Sequence, residues 1–150
     1  MSLELKINNE IKATMLARNP EKLEALRAIK AALLLEKTKE GTDHEITESS
    51  ELKILQKLVK QRRESAEIYA NANREDLAKK ELFEASVIET FLPQQMTVEE
   101  VTAVINKIIE QTGASSIKDM GKVMASASRE LAGKADNKII SEIVKKRLTN

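Results

Sequence analysis

Cysteine and tryptophan are absent from this chain of 150 residues, which has only two prolines, four glycines and three aromatic side chains. Without cysteine, the chain has no disulfide, no thiolate metal site and no cysteine nucleophile. The scarcity of aromatic residues excludes the base-stacking platforms that many proteins use to bind single-stranded RNA. Because glycine and proline are rare while alanine, leucine, isoleucine, glutamate and lysine are abundant, the composition predicts an all-α protein.

Long hydrophobic runs are also missing, and the first residues show neither a signal-peptide nor a transit-peptide pattern. We therefore expect a soluble cytoplasmic protein with no membrane partner, and we expect it to be a monomer. The net charge of +1 argues against the strongly basic class of nucleic-acid-binding proteins. Residues 97–150 carry nine Lys and Arg against seven Asp and Glu, so any contact with nucleic acid must depend on local arrangement.

Helical periodicity and capping signals predict seven helices, four before Pro93 and three after it. Pro93 is the clearest boundary signal in the sequence, because a proline ends the preceding helix. The expected architecture is an N-terminal helical domain, residues 1–96, and a small C-terminal three-helix domain, residues 97–150. The signals that delimit the helices are Asn19-Pro20, Gly41, Thr47 or Ser49, Asn73, the capping box of Thr97 and Glu100, Gly113, Ser116, Gly133 and Asp136.

The segment 115–138 divides into two opposite faces on a helical wheel. One is an apolar arc of Ile117, Met120, Val123, Met124, Ala127 and Leu131. The other carries Lys118, Lys122 and Arg129, here called the basic ridge. Gly121 lies at the edge of the arc, where the missing Cβ permits close approach by another backbone or a ligand. We predict nucleic-acid contact by the ridge together with Gly121, the Gly133-Lys134 turn and Lys138.

Several charges fall on predicted apolar faces of the first four helices, where they must pair because an unpaired buried charge is costly. We expect an ionic cluster between facing helices, formed by Arg27, Lys30, Arg62, Glu81 and Glu89. This cluster has two interpretations, a structural device that fixes helix register or a binding site for a phosphate or carboxylate. A secondary basic stripe, Lys53, Lys57, Lys60 and Arg63, is either a solvated face or a phosphate track.

Catalytic and cofactor motifs are not found. The single histidine, His44, falls in a polar loop, and no Glu-x-x-His pair suits a metal site in a helical bundle. Neither glycine-rich nucleotide-binding loop occurs. Ser115 and Ser116 with Lys118 could suggest an amidase site, but Ser116 is better explained as a helix N-cap. We predict no metal, no cofactor and no catalytic residue.

Two sets of motifs together are specific to one protein family. In the second half they are Gly113-Ala114, residues 119–124 (DMGKVM) and residues 133–136 (GKAD). In the first half they are Lys60-Gln61-Arg62, Tyr69, residues 73–77 (NREDL), Glu89 and Leu92-Pro93. With these motifs the chain resembles the YqeY family, whose C-terminal region is similar to the tail domain of the GatB subunit of the glutamyl-tRNA(Gln)/aspartyl-tRNA(Asn) amidotransferase. The resemblance covers nearly the full length and implies an all-α fold in two domains.

The resemblance also implies a function, because the related tail is a tRNA-recognising appendage of an enzyme whose kinase and transamidase sites lie elsewhere. We therefore expect a non-catalytic tRNA-binding accessory protein. One alternative is a helical adaptor that docks on an amidotransferase or an aminoacyl-tRNA synthetase. Another is a carbon–nitrogen ligase with glutamine as amido-N-donor, which rests on similarity alone.

Overall fold

A computed structural model describes residues 2–39 and 45–149, and within these ranges the chain contains α-helices and no strand. The all-α class predicted from composition is confirmed. The helices are α1 (Leu3–Leu16), α2 (Pro20–Lys37), α3 (Glu48–Asn71), α4 (Glu75–Glu89), α5 (Val98–Thr112), α6 (Met120–Glu130) and α7 (Asn137–Leu148), with a 3₁₀ turn at Ile117–Asp119 before α6. None of these helices is both long enough and apolar enough to cross a membrane.

Most helix starts follow from side-chain caps that the sequence predicts. The side-chain oxygens of Asn19, Thr47 and Asp136 accept hydrogen bonds from the first-turn amides of α2, α3 and α7. At α5 the capping box is complete, since Glu100 N donates to Thr97 Oγ1 and Thr97 N donates to Glu100 Oε1, both at 3.2 Å. The predicted end of α2 at Gly41 lies outside the described residues.

Helix α4 begins without the cap that the sequence predicts. Asn73 is not the N-cap of α4, because its φ of 60° places it in the left-handed region after the end of α3. The amide of Asn73 donates to the carbonyl of Ala70, and that of Arg74 donates to the carbonyl of Tyr69. This is a Schellman arrangement, and asparagine tolerates the left-handed conformation that it requires.

The chain divides into two compact units, Met1–Leu92 and Pro93–Asn150. In the first unit α3 and α4 form a hairpin, α2 packs on both of these helices, and α1 packs mainly on α2. The fully buried large side chains of this core are Ile7, Leu26, Ile29, Leu55 and Ile88. The α3–α4 pairing brings the charged side chains of those two helices together.

In the second unit α5, α6 and α7 pack against one another around a separate core. Its fully buried side chains include Val101, Ile105, Val123, Leu131, Ile140 and Val144. The apolar arc predicted for the α6 region is correct except at Ile117, which is 44% exposed. Ile117 lies in the 3₁₀ turn, where each residue advances about 120° rather than 100°, so the α-helical wheel misplaces it.

Candidate nucleic-acid interface

The three side chains of the basic ridge are exposed to solvent. Lys122 and Arg129 lie seven residues apart on α6, which is about two helical turns, so they share one face of the helix. Lys118 lies in the preceding 3₁₀ turn, so its direction is not set by the α-helical period. The structure therefore places the ridge on two local elements rather than on one continuous helix.

The carboxylate of Asp119, the last residue of the 3₁₀ turn that carries Lys118, stabilises the start of that turn. Asp119 Oδ2 accepts hydrogen bonds from the amides of Ser115 at 2.9 Å and Ser116 at 3.3 Å. These two backbone donors hold the pKa of Asp119 below its ordinary value. Ser116 is the N-cap residue of this turn and not of α6, whose N-cap is Asp119. Its amide donates to the Asp119 carboxylate, which is a structural role.

Lys122 lies against the end of α5. Its Nζ atom donates to the carbonyl oxygen of Thr112 at 3.4 Å, where the last carbonyls of α5 form the negative end of the helix dipole. Gly113 follows with a φ of 68° and ends α5, as predicted. The contact with Thr112 holds Lys122 near the surface between α5 and α6 while leaving its side chain exposed.

The turn between α6 and α7 carries Lys134, and hydrogen bonds from the segment before α5 hold it in place. Gln95 Nε2 donates to the carbonyl of Gly133 at 2.7 Å, and the amide of Met96 donates to the carbonyl of Lys134 at 2.9 Å. Gly133 has a φ of 74°, which a side chain would strain. Lys134 and Lys138 are both exposed. Residues 93–96 thus form part of the second unit, although the predicted domain boundary follows residue 96.

The positive charges of the second unit are not held in ion pairs among its described residues, although the charge of Lys122 contributes to lowering the pKa of Asp119. None of the Lys or Arg residues in 93–149 forms an ion pair with a residue that the structure describes. Three of the carboxylates that could pair with them, Glu100, Asp119 and Asp136, accept hydrogen bonds from backbone amides instead. The exposed cations therefore remain available to an external anion.

One basic segment of this unit is absent from the predicted site. Lys145, Lys146 and Arg147 occupy the last turn of α7 and are exposed, and the 3₁₀ turn that carries Lys118 packs on α7. The run KKR in the sequence was the signal that could have found it. Cations in a last turn also stabilise the helix dipole, so their position alone has a structural explanation.

Gly121 does not make the helix contact that the sequence suggested. It is exposed, and a Cβ atom built on it meets nothing within 4 Å. Gly121 is the second residue of α6, and its missing Cβ brings no packing benefit inside the described chain. Its remaining interpretation is close approach by an external ligand, which is a prediction.

Two glycine substitutions should therefore have opposite effects on stability. We expect Gly121→Ala to raise the free energy of unfolding by about 0.4–1 kcal/mol, because alanine restricts the unfolded chain and meets no atom in the folded one. Gly113→Ala also meets no atom within 4 Å, but its φ of 68° should make it destabilising by about 1 kcal/mol. Urea unfolding of both variants measures the difference, and a destabilised Gly121→Ala would contradict the exposed position.

The ionic cluster forms between α3 and α4 with a different membership. Arg62 Nε donates to Glu84 Oε2 at 2.9 Å and lies 3.7 Å from Glu81 Oε2. Glu89 pairs with Arg63, the neighbouring arginine, rather than with Arg62. Glu84 is only 5% exposed and was not predicted, although it lies one turn from both Glu81 and Ile88 on the buried face of α4. The cluster is occupied by its own carboxylates, so the structural interpretation is favoured over anion binding.

Arg27 and Lys30 do not belong to this cluster, because both are exposed. The buried face of α2 is formed by Ala25, Leu26, Ile29 and Leu33, whereas Leu34, which a helical wheel places on the apolar arc, is largely exposed. When Leu34 is counted as buried, the centre of the predicted apolar face of α2 shifts toward Leu34. Arg27 and Lys30 then fall within that face, although both are exposed in the structure. Arg27 and Lys30 instead lie on the solvent side of α2.

The secondary basic stripe divides in the structure. Lys53, Lys57 and Lys60 are exposed along α3, while Arg63 pairs with Glu89.

Among the described residues no group of three or more His, Asp or Glu side chains could hold a metal ion. His44, the single histidine of the sequence, lies outside the described residues.

Comparison with known proteins assigns this chain to a family. Residues 4–148 match the family of YqeY-like proteins. The chain is also 30% identical over 123 residues to the altered inheritance of mitochondria protein 41 of Vanderwaltozyma polyspora, a protein described as mitochondrial. That match covers 77% of this chain and 65% of the relative, so the chain spans less than two thirds of the relative's length. Since the family match extends through both compact units, the chain belongs to the YqeY-like family.

Proposed function

We propose that this protein is a non-catalytic accessory protein that binds folded RNA, tRNA in particular, through the backbone phosphates. The observation that carries the proposal is the set of exposed cations in the second unit with no ion-pair partner among the described residues. The contacting residues are Lys118, Lys122, Arg129, Lys134 and Lys138, with the exposed Gly121 beside them and the buried Gly133 forming the turn before Lys134. The charges of this set are all positive, so it would contact anions.

Binding through phosphates is consistent with the small number of aromatic residues in the sequence. Folded RNA is recognised largely through its shape, phosphates and 2′-hydroxyls, so the scarcity of aromatic side chains does not oppose this mode of binding. Contacts to a few phosphates give weak affinity that falls steeply with salt. The choice of tRNA rests on the similarity of the motifs in residues 113–136 to the amidotransferase tail.

The test is a titration of the whole protein with tRNA over a series of salt concentrations. We expect the variant with Lys118, Lys122 and Arg129 all changed to Glu to lose detectable binding. Its residual binding, where measurable, should show a slope of log affinity against log salt reduced by about 2–3, because three phosphate contacts are lost. The matched control changes Lys53, Lys57 and Lys60 to Glu on α3, which should keep the wild-type slope. Wild-type binding by the ridge variant would refute the proposal.

A second candidate is an adaptor that docks on an amidotransferase or an aminoacyl-tRNA synthetase, and a different observation favours it. The first unit exposes large apolar side chains, with Leu16 86% and Leu35 73% accessible. Isolated exposed leucines are common on protein surfaces, which weakens the case. A complex with either purified enzyme that survives nuclease treatment and high salt would favour the adaptor over the RNA-binding function.

A further inference from the structure

An open groove of about 340 Å³ lies between α5 and α6. Its lining consists of Ile108, Gln111, Thr112, Ser126, Arg129 and Glu130. Ile108 is almost fully buried and provides an apolar floor, while the other five residues supply polar walls. The groove is open to solvent, so a ligand in it would keep one face exposed.

The polar walls have hydrogen-bonding capacity that the described chain does not use. The Thr112 hydroxyl is satisfied, because it donates to the carbonyl of Ile108 at 2.9 Å. By contrast, the side chains of Gln111, Ser126, Arg129 and Glu130 form no hydrogen bond or ion pair with any described residue. The groove therefore offers donors and acceptors together around an apolar surface.

The combination of apolar, polar and oppositely charged side chains in the groove disfavours both a lone phosphate and a purely apolar ligand. A lone phosphate would meet the Glu130 carboxylate and the negative end of the α5 dipole at Thr112, and both repel an anion. A purely apolar ligand would leave the polar walls without partners and lose their hydration. A planar heterocycle with donors and acceptors along its edge could pack on Ile108 and form hydrogen bonds with the polar side chains around it.

The basic ridge adjoins the groove. Arg129 belongs to both, and Lys122 is bonded to the carbonyl of Thr112, a residue of the groove wall. A nucleotide with its base over Ile108 would have its phosphate outside the groove, where Lys122 is the adjoining cation. Base edges can be read by amide, hydroxyl and carboxylate groups, and an arginine guanidinium can stack on a base where aromatic residues are lacking.

We propose that the groove between α5 and α6 takes the base of one unstacked RNA nucleotide, while Lys122 contacts its phosphate. This inference rests on the proposed function and adds a preference for RNA with a single-stranded segment over continuous duplex. Gln111, Ser126 and Glu130 contact the base edge, and Arg129 covers its face. The ridge supplies affinity for any RNA, and the groove discriminates among RNA structures.

The experiment compares the whole protein and its variants on two probes, a short single-stranded RNA oligonucleotide and a blunt-ended RNA duplex. Ser126→Leu fills the groove without changing charge, and Gln111→Ala removes one edge contact. We expect each variant to lose on the order of five- to tenfold in affinity for the single strand, the scale of one or two hydrogen bonds. Duplex affinity and its salt dependence should be unchanged. Ser128→Leu, on α6 but outside the groove, is the matched control.

Each outcome decides the inference. If the wild type binds duplex and single strand equally, or if both groove variants keep wild-type affinity for the single strand, the inference is wrong while the phosphate-binding function stands. If no RNA binds at all, the proposed function fails as well. Should Ser126→Leu fail to fold, Gln111→Ala, which changes an exposed side chain, decides the result.

Discussion

Replacing Arg62 with methionine is expected to lower the free energy of unfolding by about 3 kcal/mol at pH 7. Arg62 is the guanidinium shared by Glu84 and Glu81, and its side chain is only 22% exposed. Without it, Glu84 remains as a buried carboxylate next to a second carboxylate and without its cation. Removing one partner lowers the free energy of unfolding by more than the net stabilisation that the intact cluster provides. The reason is that the remaining buried charge is left without compensation.

The loss should depend on pH in a defined direction. Burial raises the pKa of Glu84 above its ordinary value, the charge of Arg62 lowers it, and neighbouring Glu81 and Glu24 raise it further. Removing Arg62 therefore raises this pKa more. The folded state then binds protons more readily than the unfolded state, so the Glu84 contribution favours folding at low pH and is lost as pH rises through the raised pKa. We expect the deficit of Arg62→Met to shrink between pH 7 and pH 4.

Two controls separate this mechanism from a simple loss of packing. Arg63→Met removes the neighbouring arginine, whose more exposed pair with Glu89 should contribute about 1 kcal/mol or less. The double variant with both Arg62 and Glu84 changed to Met should recover most of the lost stability, because apolar residues of similar volume replace the buried pair. Urea unfolding at a series of pH values measures all three. A deficit in Arg62→Met that is the same at pH 4 and pH 7 would contradict a charge origin.

Local signals account for most of what the sequence predicts correctly. Caps at Asn19, Thr47, Thr97 and Asp136 and the glycine end of α5 at Gly113 act within one helical turn, so residue type and spacing are sufficient to place them. The amphipathic pattern of α5 is equally self-contained, since its apolar residues recur at helical spacing along one short segment. These features fix the fold class and most helix boundaries.

The errors at Asn73 and Ile117 are local, because a left-handed residue ends α3 and a 3₁₀ turn precedes α6. The errors in the ionic cluster arise where a residue's environment depends on another helix. Burial of Glu84 results from the packing of α3 on α4, which places Arg62 opposite it, and no single-helix wheel contains that information. Exposure of Arg27 and Lys30 follows from the face that α2 turns toward its neighbours. For the candidate interface, the sequence predicts the cations, but the groove beside Arg129 exists only because α5 and α6 meet.

Substitution of Leu131 by alanine should unfold the second unit while the first remains folded. Leu131 is 1% exposed at the centre of the second core, where removing a leucine side chain costs about 2–5 kcal/mol. A unit of this size has a total stability on the order of 3–5 kcal/mol, so the substitution removes most of it. The first unit has its own buried core, to which Leu131 does not contribute.

Hydrogen exchange followed by mass spectrometry resolves the two units peptide by peptide. In Leu131→Ala, we expect peptides from α5, α6 and α7 to exchange rapidly while those from α3 and α4 keep their protection. The reciprocal control is Leu26→Ala, which creates a similar cavity in the first core and should leave the second unit protected. Uniform loss of protection along the chain in either variant would show one cooperative unit instead of two.

The same pair of variants also links stability to the proposed function. Because every cation assigned to RNA contact lies in the second unit, Leu131→Ala should abolish tRNA binding although all of those cations are still present. Binding through disordered cationic segments would persist in that variant, because an unfolded chain keeps its charge. Leu26→Ala should retain binding if the second unit is the interface. Loss of binding in Leu26→Ala with the second unit still protected would instead assign RNA contact to the first unit, where the exposed lysines of α3 are the alternative cations.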